Sequence, residues 1–212
     1  MICVSLAESS VTECLRALKG IEFAEIRIDK MSLDVNDLKK IFSSHPRLIA
    51  TCRPGVMAEA TRISLLKEAI GAGAAYIDIE VETSDASKRE IVQAARNKGC
   101  RVIISYHNLI KAPARAELGH IVDWCFESGA DIAKVACLIR TEKENARLLG
   151  LLDQERPLVV VGLGTLGKIT RLAGPLLGSP FTYASLEAGK ETADGQIDKD
   201  TLEEFYRILK YD

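Results

Sequence analysis

The chain has 212 residues with 28 Lys and Arg against 30 Asp and Glu, a formal net charge of −2 at pH 7, and no Lys/Arg-rich block. That balance excludes an electrostatic nucleic-acid surface. Hydrophobic content of 47% and charged content of 27% fit one globular domain, residues 1–212, with ample material for a core, and no apolar run approaches the length that spans a membrane.

Met1 leads directly into a strand-like Ile2-Cys3-Val4-Ser5-Leu6, which leaves no room for a signal peptide. Cys3, Cys14, Cys52, Cys100, Cys125 and Cys137 form no CxxC spacing and mostly sit in apolar segments. They read as buried, reduced thiols of a cytosolic protein rather than as disulfides or a metal site.

The first predicted unit is strand 2–6, followed by a helix that opens at Glu8-Ser9-Ser10-Val11 and runs to about Leu18, with Gly20 as its C-cap candidate. A second strand, Phe23 to Asp29, places Glu25, Arg27 and Asp29 on one face by its period of two. A helix from Asp34 to about Ser43 follows. The third strand, Arg47 to Cys52, ends in Arg53-Pro54-Gly55 and leads to a helix from about Glu59 to Ile70. The fourth, Ala75 to Glu80, aligns Asp78 with Glu80, and its helix runs from Ser84 to about Asn97. The fifth, Arg101 to His107, aligns Ser105 with His107 and precedes a helix from about Ala114 to Glu127.

The sixth strand, Ala130 to Cys137, is apolar on both faces except for Lys134. Such a strand belongs inside a parallel sheet, where lysine is rare without a partner or a task. Burial strips an ammonium of water and brings the nucleophilic amine within reach, which makes Lys134 a Schiff-base candidate. The competing reading is a strand-end lysine that snorkels to water. Thr141 then caps a helix to about Leu152, with Glu144 completing a capping box. The seventh strand is Pro157 to Gly162. A glycine-rich turn leads into a helix through Arg171, the eighth strand is Phe181 to Ser185, and a polar loop, 186–197, precedes a last helix from Asp198 to about Leu209.

Eight strand–helix units in sequence predict a parallel (β/α)8 TIM barrel, with an open doubly wound sheet as the alternative. In a barrel, active sites gather at the C-terminal strand ends. Those ends carry Ser5, then Glu25 and Arg27, then Arg53, then Asp78 and Glu80, then His107, then Lys134. Taken singly, Glu25, Arg27 and Asp29 read equally as an internal salt-bridge ladder. His107 reads as a satisfied core histidine, Arg53 as a loop residue, and Asp78 and Glu80 as neutralising partners for the arginines. Six consecutive strands that aim polar groups at one volume read as a site. His45 and His120 read as surface residues.

Gly162-Leu163-Gly164-Thr165-Leu166-Gly167 matches GxGxxG after a strand. Too little chain follows it to build a nucleotide-binding half, so the turn reads instead as an anion site at a helix N-terminus, with Arg171 adding charge. A lysine, a histidine and several arginines together suggest amine catalysis without cofactor or metal. An iminium on the lysine acidifies the neighbouring carbon, histidine moves the proton, and arginines hold an anionic substrate.

At this point the residues resemble a family, type I 3-dehydroquinate dehydratase, the class I Schiff-base enzyme of the shikimate pathway in aromatic amino-acid biosynthesis. The resemblance spans nearly the whole chain. It rests on Val4-Ser5-Leu6, Glu25-Ile26-Arg27-Ile28-Asp29, Thr51-Cys52-Arg53, Tyr76-Ile77-Asp78-Ile79-Glu80, Ser105-Tyr106-His107-Asn108, Ala133-Lys134-Val135-Ala136, Thr170-Arg171-Leu172-Ala173-Gly174 and Gly195-Gln196-Ile197. It implies that Lys134 forms an imine with the substrate C3 ketone and that His107 is the base at C2 and the acid for the C1 hydroxyl. It also implies that Ser5, Glu25, Arg27, Arg53 and Arg171 bind substrate, that Thr192 and Gln196 belong to a lid, and that the protein is a homodimer acting on a small molecule. Glu80 is expected to orient His107.

The chain departs from the family pattern at Thr192 to Gln196, where Asp194 adds a negative charge. It departs again in the short loop after Arg53 and at Asn108, where aspartate is common. The alternatives are a class I aldolase of a phosphorylated sugar, with its phosphate on the strand-seven turn, and a non-catalytic anion-binding barrel.

Overall fold

The computed structural model describes residues 1–209. Strands and helices alternate as β1 (Ile2–Leu6), α1 (Val11–Ala17), β2 (Ala24–Arg27), α2 (Val35–Ser43), β3 (Leu48–Thr51), α3 (Glu59–Gly71), β4 (Tyr76–Glu80), α4 (Asp85–Lys98), β5 (Arg101–Asn108), α5 (Arg115–Glu127), β6 (Ile132–Leu138), α6 (Glu142–Leu149), β7 (Leu158–Leu163), α7 (Lys168–Leu176), β8 (Thr182–Ser185) and α8 (Lys199–Ile208). All neighbouring strands are parallel, in the order β7-β6-β5-β4-β3-β2-β1-β8. β7 and β8 approach each other across the remaining seam. The sheet is a nearly closed TIM barrel, not an open doubly wound sheet. Residues 210–212 of the expected domain lie outside the described residues.

The period of two along each strand sorts side chains into two apolar layers. Leu6, Ile26, Leu48, Ile77, Ile104 and Val135 point outward and pack with Leu38, Leu66, Ile91, Leu118 and Leu148 of the helices. Cys3, Phe23, Ile49, Ile103, Ile132, Val159 and Phe181 form a separate inner cluster. Phe181 sits edge-on to Phe23 at 5.1 Å and to Tyr183 at 5.4 Å, an arrangement that aromatic quadrupoles favour. This cluster plugs the barrel below the polar strand ends and makes the site a cup with a dry floor.

Local chemistry sets the element boundaries. Ser10, Asp34, Ser84 and Asp198 each accept a backbone N–H at the start of α1, α2, α4 and α8. Glu144 accepts from the Thr141 N–H at 3.1 Å, as the capping box requires. β2 stops at Arg27, two residues short of its predicted end, and a 3-10 turn covers Ile28–Lys30. That turn brings the Asp29 carboxylate back to accept from Arg27 Nε and Nη2 at 3.0 and 2.6 Å.

The GxGxxG glycines are packing residues. A Cβ on Gly162 would lie 2.7 Å from Gly167 Cα, and one on Gly167 would lie 2.3 Å from the Gly162 carbonyl carbon. The Gly162 N–H donates to Thr170 Oγ1 at 2.7 Å, so it is not held open for an anion. All six cysteines are buried and unpaired, and burial pushes the thiols of Cys14, Cys52, Cys100, Cys125 and Cys137 up to about 12. No helix among the described residues is long and apolar enough to cross a membrane.

Candidate active site

The strand ends open into a cavity of about 810 Å³ whose lining includes Ser5, Glu25, Arg27, Arg53, Glu80, His107, Lys134, Arg171, Thr192 and Gln196. These ten residues, which the sequence points to as catalytic or substrate-binding, therefore line one volume. Their arrangement is an ordered set of ion pairs rather than a loose rim.

Lys134 is 5% exposed and does not snorkel. Its Nζ donates to Asp78 Oδ2 at 2.9 Å and lies 4.1 Å from the centre of the Tyr183 ring. A carboxylate on one side and an aromatic face on the other hold the ammonium in place. Asp78 is fully buried and accepts three more hydrogen bonds, from the two terminal nitrogens of Arg53 at 3.1 and 3.1 Å and from Ser105 Oγ at 2.6 Å. Burial alone would raise the Asp78 carboxyl, but Arg53, Lys134 and His107 outweigh it and hold the group well below the usual carboxylate range. Pairing has the same effect at Arg53. Burial opposes its charge, yet Asp78, Glu80 and Glu25 raise its pKa above the ordinary arginine value.

Strand register puts the two expected catalytic side chains side by side. Ser105 is opposite Lys134, and His107 is opposite Ala136, two residues further along the same pair of strands. Burial, then the positive charges of Arg53 and Lys134, push the His107 imidazole well below its ordinary value, so it is neutral at pH 7. Its Nδ1 is buried without a hydrogen-bond partner.

The expected contact from Glu80 to His107 is not formed. Glu80 Oε1 accepts from Arg53 at 2.5 Å and Oε2 accepts from Arg62 at 3.0 Å. Two guanidiniums within reach outcompete a neutral ring for a carboxylate. Asn108 also acts away from His107: its Oδ1 accepts from the N–H groups of Ile110 and Lys111 at 3.0 and 3.0 Å and shapes the β5–α5 loop.

The opposite wall is Glu25, which accepts from Ser5 Oγ at 2.7 Å and Thr51 Oγ1 at 2.8 Å. The loop after β8 closes over it. Arg27 and Lys30 donate to the Thr192 carbonyl at 3.2 and 2.9 Å. Arg171 donates to the Asp194 carbonyl at 3.4 Å. Gln196 Oε1 accepts from the N–H groups of Thr192 and Ala193 at 2.6 and 3.3 Å, and Lys190 forms an ion pair with Glu8 at 2.8 Å. Arg171 is 1% exposed. Burial lowers its pKa to about 10, and its Nε has no partner. It is an under-satisfied cation lining the cavity, ready for an anion.

A family model described as Type I 3-dehydroquinase matches residues 2–212. The chain belongs to the type I 3-dehydroquinase family. Within the family's reach is a 3-dehydroquinate dehydratase of Methanocaldococcus jannaschii, 33% identical over 222 residues that cover 99% of each chain. Among solved structures, the barrel is similar to a type I 3-dehydroquinate dehydratase of Clostridium difficile carrying covalently modified comenic acid. That match has a TM-score of 0.86 and 25% identity and covers 98% of this chain and 91% of the other. A 3-dehydroquinate dehydratase of Aquifex aeolicus matches with a TM-score of 0.83 and 29% identity over 99% and 98% of the two chains.

Two members of the constellation, Tyr183 and Arg62, are not legible in the sequence as site residues, and a third, Asp78, is legible only as a strand-end charge without a role. Asp78 was visible on the face of Glu80, but no pattern distinguishes a lysine's counter-ion from a charge that merely offsets arginines. Tyr183 reads as a core aromatic on a short strand, and only the barrel closure sets its ring against Lys134. Arg62 belongs to a helix, where the strand-end pattern carries no information.

Proposed function

We propose that this chain dehydrates 3-dehydroquinate to 3-dehydroshikimate, a step of the shikimate pathway, by syn elimination through an imine on Lys134. The observation that carries the reading is the buried Lys134 amine, paired with Asp78 at 2.9 Å, on the strand beside neutral His107. The family match and a structural relative that holds a covalently modified ligand support it.

The Lys134 ammonium first gives up a proton, for which His107 is the neighbouring base. The amine adds to the C3 carbonyl of the substrate, and the imidazolium returns its proton to the departing carbinolamine hydroxyl, so loss of one water leaves the protonated imine and a neutral His107. That cation draws electrons from the C2–H bond, and His107 removes the proton. The enamine then expels the C1 hydroxyl, to which the imidazolium returns the proton, so a second water leaves. One base serving both positions acts on one face of the ring, which accounts for syn geometry. Water finally hydrolyses the imine and frees Lys134, so the net change is the loss of one water.

Asp78 and Arg53 hold the lysine during this cycle. Arg171 takes the substrate carboxylate with its unpartnered Nε. Ser5, Glu25, Arg27 and Arg53 fix the hydroxyl groups, and the Thr192–Gln196 segment excludes water from the imine. Glu80 acts on Arg53 and not on the imidazole. No step calls on a cofactor or metal. A single catalytic domain, a cytosolic setting and a homodimer belong to the same reading.

The test is borohydride trapping with 3-dehydroquinate, followed by peptide mass mapping. The expected result is a reduced adduct on Lys134 and none in Lys134→Ala, which should keep its fold and lose dehydration. Turnover by a protein whose Lys134 stays unmodified refutes the covalent route.

A further inference from the structure

Arg62 sits in the first turn of α3, on the wall of the cavity beside the ends of β3 and β4, and no step above uses it. It is nonetheless 1% exposed. Its donors are all engaged. Nε and Nη2 grip the two Glu59 oxygens at 2.9 and 2.9 Å, and Nη2 also reaches Thr83 Oγ1 at 2.9 Å. Nη1 donates to Glu80 Oε2 at 3.0 Å and to the Cys52 carbonyl at 3.1 Å. The last two contacts converge on Arg53. The Cys52 carbonyl belongs to the peptide unit that leads into Arg53, and the second Glu80 oxygen accepts from the Arg53 side chain. Beyond Arg53 the alternation continues through Asp78 to Lys134. Six charges of alternating sign, Lys134, Asp78, Arg53, Glu80, Arg62 and Glu59, therefore run along one side of the cavity, from the buried amine to a carboxylate that is half exposed at the start of α3.

A well-packed apolar side chain generally serves stability as well as a buried ion pair does, so packing alone does not account for an arginine here. We propose that Arg62 is a positioning residue: it occupies one oxygen of Glu80 and the carbonyl before Arg53, and so keeps Arg53 bidentate on the Asp78 that holds Lys134. The proposal rests on the reading of Lys134 as the imine-forming residue. Without Arg62, Glu80 carries an uncompensated charge and takes more of Arg53. Asp78 is then left to Lys134 alone, the ammonium is favoured, and the free amine becomes scarcer at a given pH. The charged and titratable groups around Lys134 are Cys3 from β1, Glu25 from β2, Arg53 after β3, Asp78 from β4, His107 from β5 and Tyr183 from β8. Of these, Arg53 is the one tied to Arg62 through Glu80 and its own backbone.

The experiment compares wild type, Arg62→Met, Arg62→Lys and the double variant Arg62→Met/Glu80→Gln. It measures the rate of borohydride trapping of the 3-dehydroquinate adduct across pH, with kcat and KM alongside. Arg62→Met is expected to move the half-maximal trapping rate upward by roughly 0.5–1 pH unit. It should also lower kcat about 10–100-fold, with a smaller change in KM. The double variant, which removes one charge of each sign, is expected to return the pH midpoint to that of wild type. Arg62→Lys keeps the charge but cannot span Glu80 and Cys52 together, so its midpoint stays and its kcat falls.

A wild-type midpoint and kcat in Arg62→Met overturn the proposal, as does a double variant that keeps the shifted midpoint. If Arg62→Met does not fold, wild-type kcat in Arg62→Lys overturns it. Absence of an adduct in the wild type overturns the Lys134 reading, and the proposal with it. An adduct in the wild type with neither a shifted midpoint nor a lowered kcat in Arg62→Met overturns the Arg62 proposal alone.

Discussion

Replacing Asp78 with asparagine tests the centre of the charge arrangement. The substitution keeps the shape and an acceptor for Ser105, but removes the one negative charge between Lys134 Nζ at 2.9 Å and the two Arg53 nitrogens at 3.1 and 3.1 Å. Asp78 is fully buried, so water does not screen the loss. Breaking a buried pair from one side costs about 3–5 kcal/mol, because the remaining charge is stranded. In a chain of this size that corresponds to a fall in Tm of roughly 6–20 °C.

The pH dependence of the loss follows from the depressed Asp78 carboxyl. A carboxyl whose pKa is lowered by folding contributes stability above its unfolded value, about 3.9, and loses that contribution as pH falls toward the folded one. The gap between wild type and variant should therefore be constant from pH 7 to about pH 5 and shrink below about pH 4. Urea unfolding across that range, with m-values checked for constancy, measures it. A loss under about 1 kcal/mol at pH 7, or a gap that does not narrow in acid, refutes the claim that Asp78 is the buried counter-ion.

Two further outcomes are expected. His107 is neutral in the folded protein well below its ordinary pKa, whereas in the unfolded chain it takes a proton near pH 6.5. Wild type should lose stability as pH drops below about 6.5, and His107→Asn should remove that slope in the same unfolding series. An identical slope in both proteins rules out a neutral buried His107. In Gly195→Ala, a Cβ would meet the Gly164 carbonyl oxygen at 2.3 Å on a backbone with φ of 73°. The loop over the site should detach, kcat should fall about 10-fold or more as water reaches the imine, and Tm should change little, since the barrel is untouched. A wild-type kcat in that variant shows that the loop contact is dispensable.

Much of the fold was legible because each strand alternates cleanly and each helix announces its start. Asp34, Ser84 and Asp198 mark three helix N-termini to within a residue. Lys134 was legible for a physical reason, since a charge inside an apolar strand needs an explanation wherever it occurs. The partners were less so. Glu80 has two oxygens and three candidates, Arg53, Arg62 and His107, and only three-dimensional reach decides among them. Arg62 lies among residues of α3 that alternate with helical period, where a charged side chain normally faces water. Its burial depends on where α3 packs against β4, which no local pattern encodes. The early end of β2 was hidden for a similar reason, because Asp29 continues the alternation in sequence while its side chain folds back onto Arg27.

The loop over the cavity is latched by main-chain atoms. Arg27 and Lys30 grasp the Thr192 carbonyl, Arg171 reaches the Asp194 carbonyl, and Gln196 receives the N–H groups of Thr192 and Ala193. On the loop's own side the fastening is made mostly of peptide groups, with the Thr192 hydroxyl adding one bond to Gln196 Oε1 at 3.3 Å, which explains how Ala193 and Asp194 depart from the family pattern while the loop stays in place. Evolution is then free to vary the inner lining of the lid, and with it the fit to ligands, at no cost to closure. Within residues 192–195, a proline at 192 or 193, which deletes a donor, or a side chain at 195 would break the fastening itself.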